Sequence, residues 1–485
     1  GDAKCVAGHA ARTPRVPPVS ALGLHHLVDR LLRHARLDGL GLHERGSGLA
    51  PLGLLVGVRH VDVDPARLDL RHGFPAQRAV VFVRLVLVRL HRLVERLLLG
   101  GIHLVVRLLA DDGGAVDGER LDLGGELDHL VMAQQRQPHR LQVLAVETDF
   151  ELSLESRLFA HDGYAGQDNQ SQSLSARGEF VVETGEHSQL VFAPFVRVDS
   201  EDDKRTHADV RELFWSALGD RWEFSLGVKQ VFWGVTEFNH LVDVINQTDL
   251  VENVDGEDKL GQPMAQLTMV RDWGTIDLFA MSGFRERTFA GRDGRLGLPF
   301  VVDSDAARYE AGSESAHVDF AARWSQQFDA LDIGIYHFSG TGRAPNLIPE
   351  MRGGNRVELV PEYVLIDQTG LDAQYQAGKW AFKLESIHRS GQGDRFLAAT
   401  AGTEYTMVGV MGSQMDLGLV AEYFYDERDE LAFDTLFEHD YAVGLRLGFN
   451  DASDTQALIG VIRDQETAET VVSVEASRQL GDNFR

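Results

Sequence analysis

The 485-residue sequence has a single cysteine, Cys5, which excludes an internal disulfide framework and a four-thiolate zinc site. It has no run of 18 apolar residues free of charge, so a transmembrane helix of ordinary length is excluded as well. Basic residues are in deficit. The formal net charge is −27, whereas binding a phosphate backbone calls for a basic stripe, so nucleic acid is not an expected partner. Neither a phosphate-binding glycine loop nor a paired-histidine metalloprotease helix occurs, and no cofactor is expected.

These totals average two unlike segments that meet near residue 145. Residues 1–145 hold 19 Lys plus Arg against 15 Asp plus Glu, a net of +4. The remainder holds 28 against 59, a net of −31. The first segment has no Trp, Tyr or Asn, one Lys and one Ile, and repeats Leu, Arg, His, Val and Gly, as in VVFVRLVLVRLHRLVERLLLGGIHLVVRLL at 80–109. A basic amphipathic membrane helix would need its arginines on one face, and those at 84, 89, 92, 96 and 107 do not keep to one. The missing residue types are those of AT-rich codons. Residues 1–146 are therefore expected to be disordered or a wrong-frame translation of GC-rich DNA, and residues 147–485 are read as the folded domain. Mapping the native N-terminus tests that division.

From Asp149 the hydrophobic period becomes two, the signature of half-buried strands. In DFELSLESRLF (149–159), Phe150, Leu152, Leu154 and Leu158 share one face, and Glu151, Ser153, Glu155 and Arg157 share the other. HVDFAARWS (317–325), DLGLVAEYFYD (416–426) and DYAVGLRLGF (440–449) alternate in the same way. A soluble sandwich would show this too, so the connections decide. Short turns are predicted near 184–187, 219–220, 272–274, 329–330, 376–378, 412–414, 450–453 and 480–482. Long or polar connections fall between them at 160–172, 199–206, 232–263, 284–316, 340–366, 390–400, 426–438 and 464–468. Strict alternation of tight turn and long loop predicts an all-β fold, an antiparallel up-and-down transmembrane β-barrel. Closure follows from the solvent: lipid offers no hydrogen bonds, so every strand must pair on both sides. About sixteen strands are visible, and a seventeenth beginning at Asn483 suggests a parent of about eighteen. Aromatics near strand ends (Trp222, Phe232, Trp233, Trp273, Trp324, Tyr336, Phe338, Trp380, Phe382 and Tyr425) are expected in interfacial girdles.

This pattern resembles the Gram-negative outer-membrane porins. Two stretches, VFWGVTEFNHLVDVINQTDLVENVDGEDKLGQPM (231–264) and IHRSGQGDRFLAATAGTEYT (387–406), are similar to a large porin-like family. The resemblance covers about 147–485. It implies a bacterial outer-membrane location and a barrel that passes small hydrophilic solutes, in contact with outer-membrane lipid and lipopolysaccharide. It also implies a homo-oligomer, with a trimer as the expectation. It does not name a solute, and the alternative is a closed barrel that scaffolds or binds a partner through its outer loops.

The stretch 231–263 holds seven acids: Glu237, Asp243, Asp249, Glu252, Asp255, Glu257 and Asp258. A long loop folded into the lumen would narrow it and set ion selectivity, so weak cation preference is predicted. The ordinary alternative is a solvated outer loop. Asp255, Glu257 and Asp258 beside a glycine turn are a weak calcium signal, because the full calcium-loop spacing is missing. GFRERTFAGRDGRLGLPF (283–300) gathers Arg285, Arg287, Arg292 and Arg295, which would either oppose the acidic loop across the pore or bind lipopolysaccharide phosphate outside. Lumen-facing charges are expected at Glu151, Glu155, Arg177, Arg197, Lys229, Arg323, Lys383 and Glu385. A lipid hydrolase would be written in a His/Ser pair, at His337 with Ser339 or His388 with Ser390. No acidic or amide partner can be assigned to either histidine from the sequence, and the reading is non-enzymatic.

Overall fold

A computed structural model describes residues 56–58 and 146–479, apart from 162, 164–165, 254, 353–355, 429–436 and 466–468. The expectation for residues 1–146 thus falls almost wholly outside the described residues, as does the turn at 480–482 and the strand start at Asn483.

Sixteen strands follow one another: β1 Val146–Leu158, β2 Gln170–Gly185, β3 Ser188–Asp199, β4 His207–Gly219, β5 Trp222–Lys229, β6 Gln262–Arg271, β7 Gly274–Met281, β8 Asp319–Phe328, β9 Leu331–Thr341, β10 Leu365–Ala377, β11 Trp380–Gly391, β12 Gly393–Met407, β13 Asp416–Asp426, β14 His439–Gly448, β15 Gln456–Asp464 and β16 Thr470–Ser477. Each pairs antiparallel with the next, an up-and-down order throughout. Among the described residues no ladder joins β16 back to β1, so the sheet is left open there. The short strand Val56–Val58 pairs with β1 at Ser156–Leu158 and lies beside β16, so the two edges curl round to the same segment.

Burial is inverted relative to a water-soluble β-protein. On the outward face Phe150 is 63% exposed, Phe320 58% and Leu226 54%, while inward-facing Glu385 is fully buried and Arg211 is 6% exposed. In water such an outer face would forgo roughly 25 cal/mol for each Å² of apolar surface. In a bilayer it costs nothing, and the charged face takes the interior.

The tight turns at one end lie where expected, for example between β8 and β9, where Asp329 takes a positive φ of 49°. One predicted long connection is corrected. Residues 390–400 are not a loop: β11 reverses into β12 through Gly391 and Gly393, whose φ angles of 103° and 80° suit glycine. The regions predicted as loops at 284–316 and 340–366 contain structure of their own. Asn346–Arg352 pairs with Arg356–Tyr363 as a hairpin, and Arg308–Tyr309 adds a parallel third strand. The girdle expectation also divides. Trp222, Trp273, Trp380 and Phe382 are exposed, but Trp233, Tyr336 and Phe338 are buried inside, because Tyr336 and Phe338 stand on the inward face of β9.

Candidate functional site: the loop inside the sheet

The connection from β5 to β6, residues 230–261, folds inward and lies against the charged face of the sheet. Its apolar residues Trp233, Val242, Val244 and Ile245 complete a buried cluster with Phe279, Tyr336, Phe338, Ile387 and Phe396 of the wall. Phe238 completes a second cluster with Val420, Phe424, Ala442 and Ile462. Apolar side chains on the inward face are thus gathered where this loop lies.

Backbone donors of the loop are satisfied by two wall carboxylates. Glu385 on β11 accepts from the Val235 N–H (2.6 Å), the Thr236 N–H (2.9 Å), the Thr236 hydroxyl (2.7 Å) and the Val242 N–H (3.2 Å). Glu422 on β13 accepts from the N–H groups of Glu237 (2.6 Å) and Phe238 (3.0 Å). Residues 235–242 have no ladder partner for these amides, and unpaired buried amides are costly, so carboxylates with several acceptor sites take that role. Arg343, at the start of the β9–β10 connection, reaches back to the Ile245 carbonyl (2.9 Å) and pairs with Asp319 (2.9 Å), with its guanidinium over the Phe284 and Phe338 rings.

The second half of the loop meets arginines. Arg197 on β3 holds Glu252 through contacts of 2.8 and 3.0 Å, and also holds Glu155 on β1 (3.0 Å). Arg205, in the β3–β4 connection, donates to the Val251 carbonyl (3.1 Å), to Glu155 (2.9 Å) and to Asp199 (2.8 Å). Arg211 on β4 reaches Asp249 (2.7 Å). Its position follows from a β-bulge: Ala193 pairs with Glu212 and Pro194 with Val210, which leaves Arg211 as the extra residue. The loop is also tied to the next long connection by the bridge between Asp249 and Thr288.

His240 joins the two halves. Its Nε2 lies 3.1 Å from Glu257, and its Nδ1 lies 3.9 Å from Glu385. Burial works against its charge, but the close contact with Glu257 and the charges of both carboxylates prevail and raise its pKa well above the usual value. Glu257 is correspondingly lowered: burial opposes its charge, and His240 and Lys259 outweigh that. Asp243 is raised by burial, only partly offset by Lys259, while its Oδ1 accepts from the N–H groups of Trp233 (2.6 Å) and Gly234 (3.0 Å).

Most acids singled out from the sequence are thus engaged within the protein. Glu237 pairs with Arg446, Asp249 with Arg211, Glu252 with Arg197 and Glu257 with His240. Asp255 accepts from Asn253 and from the Glu257 N–H, and the backbone carbonyl of Asp258 accepts from the Asp249 N–H. Among the described residues no group of three or more His, Cys, Asp or Glu is arranged to hold a metal ion. The four arginines of 283–300 separate. Arg285 pairs with Asp209 (2.7 Å) and Arg287 with Gln247 (3.2 Å) at the base of the inner loop. Arg295 instead donates to the His161 carbonyl and lies over Phe159, and the Arg292 carbonyl accepts from Gln167, on the side of the first long connection. The predicted lumen positions Glu151, Glu155, Arg177, Arg197, Lys229, Arg323, Lys383 and Glu385 share the inward parity of their strands. Glu151 pairs in register with Arg177, Lys229 donates to Gln266 (2.9 Å), and Arg323 pairs with Asp372 (2.7 Å).

His337 and Ser339 stand on the outward face of β9. Nδ1 of His337 lies 2.9 Å from the Thr369 hydroxyl and Nε2 lies 3.9 Å from Asp367, an acidic neighbour that only the ladder brings near. The imidazole is engaged by β10, which is not how a base activates Ser339.

Sequence reasoning did not single out Glu422, Phe238, Arg205, Arg211, Arg446 or the glycines Gly444 and Gly460. A signal existed for some. Glu422 is an acid at mid-strand on the polar face of β13, and glycines inside strands mark close approach of another group.

No protein-family profile and no curated protein matches the sequence. Among solved structures the chain is similar to OmpT, an outer membrane protein of Vibrio cholerae in trimer form: identity is 11%, 70% of this chain and 96% of that one are covered, and the TM-score is 0.41. It is similar to OprB of Pseudomonas putida at 11% identity, covering 68% and 92%, with a TM-score of 0.38. It is also similar to an anion-selective porin from Comamonas acidovorans at 10% identity, covering 70% and 96%, with a TM-score of 0.39.

Proposed function

We propose that residues 147–485 form a bacterial outer-membrane channel in which the loop 230–261 is the constriction, passing small hydrophilic solutes by diffusion with a weak preference for cations. The observation that carries this reading is the placement of that loop: it is seated on the charged inner face of an up-and-down sheet whose outer face is apolar. The loop covers the wall from β7 to β15 and reaches β1, β3 and β4 with its second half. The passage then runs between the loop and the arc of β16, β1 and β2, where Ser473, Glu475, Glu151, Ser153 and Arg177 share the inward parity. Carboxylates outnumber basic groups across the domain, which favours cations in a narrow aqueous path. Membrane lipid covers the outward face, Arg292 and Arg295 are suited to lipopolysaccharide phosphate, and several copies assemble in the membrane.

The breadth of the loop's contacts favours a second reading, a closed barrel that acts as a scaffold. Refolding the chain in detergent and recording in a planar bilayer under a salt gradient separates the two. Steady conductance with a cation-side reversal potential is expected. An anion-side reversal defeats the preference, and silence from a well-folded barrel moves the assignment to the scaffold.

A further inference from the structure

The seat of Phe238 is unlike the rest of the inner wall. Gly444 on β14 and Gly460 on β15 are direct partners in the ladder, so two positions without side chains lie side by side. A Cβ added at Gly444 would come within 3.1 Å of the Phe238 ring, and one at Gly460 within 3.0 Å. The ring is 6% exposed and is enclosed by Val420, Phe424, Ala442 and Ile462. The same tip is held by Glu422, which accepts the amides of residues 237 and 238, and by the ion pair of Glu237 with Arg446. A flat notch of two facing glycines rimmed by apolar side chains fits one aromatic ring and excludes larger neighbours by contact.

We propose that Phe238 is the positioning residue that holds the tip of the inner loop on the wall, that Gly444 and Gly460 admit it, and that undocking this ring widens the passage. The inference rests on the channel reading for its effect on current, but the docking itself is measurable without current. In a Cys5→Ser background, Val242→Cys places a thiol at a fully buried loop position, and its labelling by a maleimide reports lifting of the loop. Phe238→Ala and Gly460→Val are each expected to speed this labelling roughly tenfold, because protection then depends on a weaker local structure. Both are expected to raise single-channel conductance by roughly twofold and to add open-state noise. Phe238→Leu retains an apolar plug and keeps slow labelling, which serves if the alanine variant does not refold. Folding of every variant is checked by heat-modifiable migration on a gel. Unchanged labelling in folded Phe238→Ala and Gly460→Val overturns the seat. Fast labelling with unaltered conductance overturns its role in the aperture. If the parent chain carries no current, the channel reading fails on its own, and the labelling rates still decide whether the ring docks the loop.

Discussion

The two halves of the inner loop are held in opposite ways. Residues 233–245 are fixed by buried apolar contacts and by carboxylates that accept backbone amides, while residues 247–260 are fixed chiefly by arginines, through ion pairs from β3 and β4 and through hydrogen bonds to loop carbonyls from β1 and the β3–β4 connection. Apolar contacts and amide-to-carboxylate bonds define one position for the backbone. Ion pairs between long side chains define charge balance first and position second, because the several rotatable bonds of each stem let the pair follow a shifted backbone. The first half is therefore the rigid strut and the second an electrostatic tether. A wall that is charged everywhere could hold only the second kind.

The contrast is open to direct test. The largest effect is expected at the hub of the strut. Glu385→Ala leaves three loop amides without their acceptor and should cost about 3–5 kcal/mol, read as urea unfolding of the refolded protein by tryptophan fluorescence. Glu385→Gln keeps a carbonyl acceptor and should cost less. An alanine variant as stable as the parent would remove the hub from the account.

A smaller loss is expected in the tether. Arg197→Ala strands Glu252, while Glu155 keeps Arg205, and should cost about 2–4 kcal/mol, with Glu252→Gln in the same chain recovering part of it in a double-mutant cycle. The comparison sharpens if Arg197→Ala leaves labelling of a cysteine at Val242 slow. Equal lifting of both halves would show that they move as one body.

His240 links the halves, and its effect should be smaller again and set by pH. A pKa raised by folding contributes stability that is fully present below the unfolded value near 6.5 and is lost as pH rises through the folded value. Alkaline pH should thus loosen the loop, and acid should not until Glu257, whose pKa folding lowers, takes up its proton. Conductance noise and cysteine labelling followed from neutral to alkaline pH check this, and His240→Gln should flatten the profile. Loosening on the acid side of neutrality would reverse the assignment. The smallest effect belongs to the exposed turn pair Arg221–Asp272, where Arg221→Ala should change stability by no more than about 0.5 kcal/mol.

Much of the architecture was legible in the residues. The alternation in 149–159 and 416–426 appears as β1 and β13 with the apolar positions outward, because a strand's two faces are written directly into odd and even positions. Among the described residues the turn and loop rhythm held except at 390–400, where two glycines with positive φ make a reversal that composition alone reads as a loop. Strand parity put Glu385 and Arg197 on the polar face of their strands, where both contact the inner loop. Glu422 and the glycine notch were not singled out, since their meaning depends on which segment crosses the lumen to meet them.

The sequence by itself determined a two-faced sheet of sixteen strands with polar positions together and apolar positions together, because strand periodicity is local. It also determined that residues 231–263 are a long acidic segment. Only the tertiary structure decided that most of those acids are engaged with partners inside the protein, that Phe238 rests on Gly444 and Gly460, and that His240 lies between Glu257 and Glu385. These contacts join residues up to more than two hundred positions apart, and no local pattern encodes which wall a loop will meet once the sheet has curled around it.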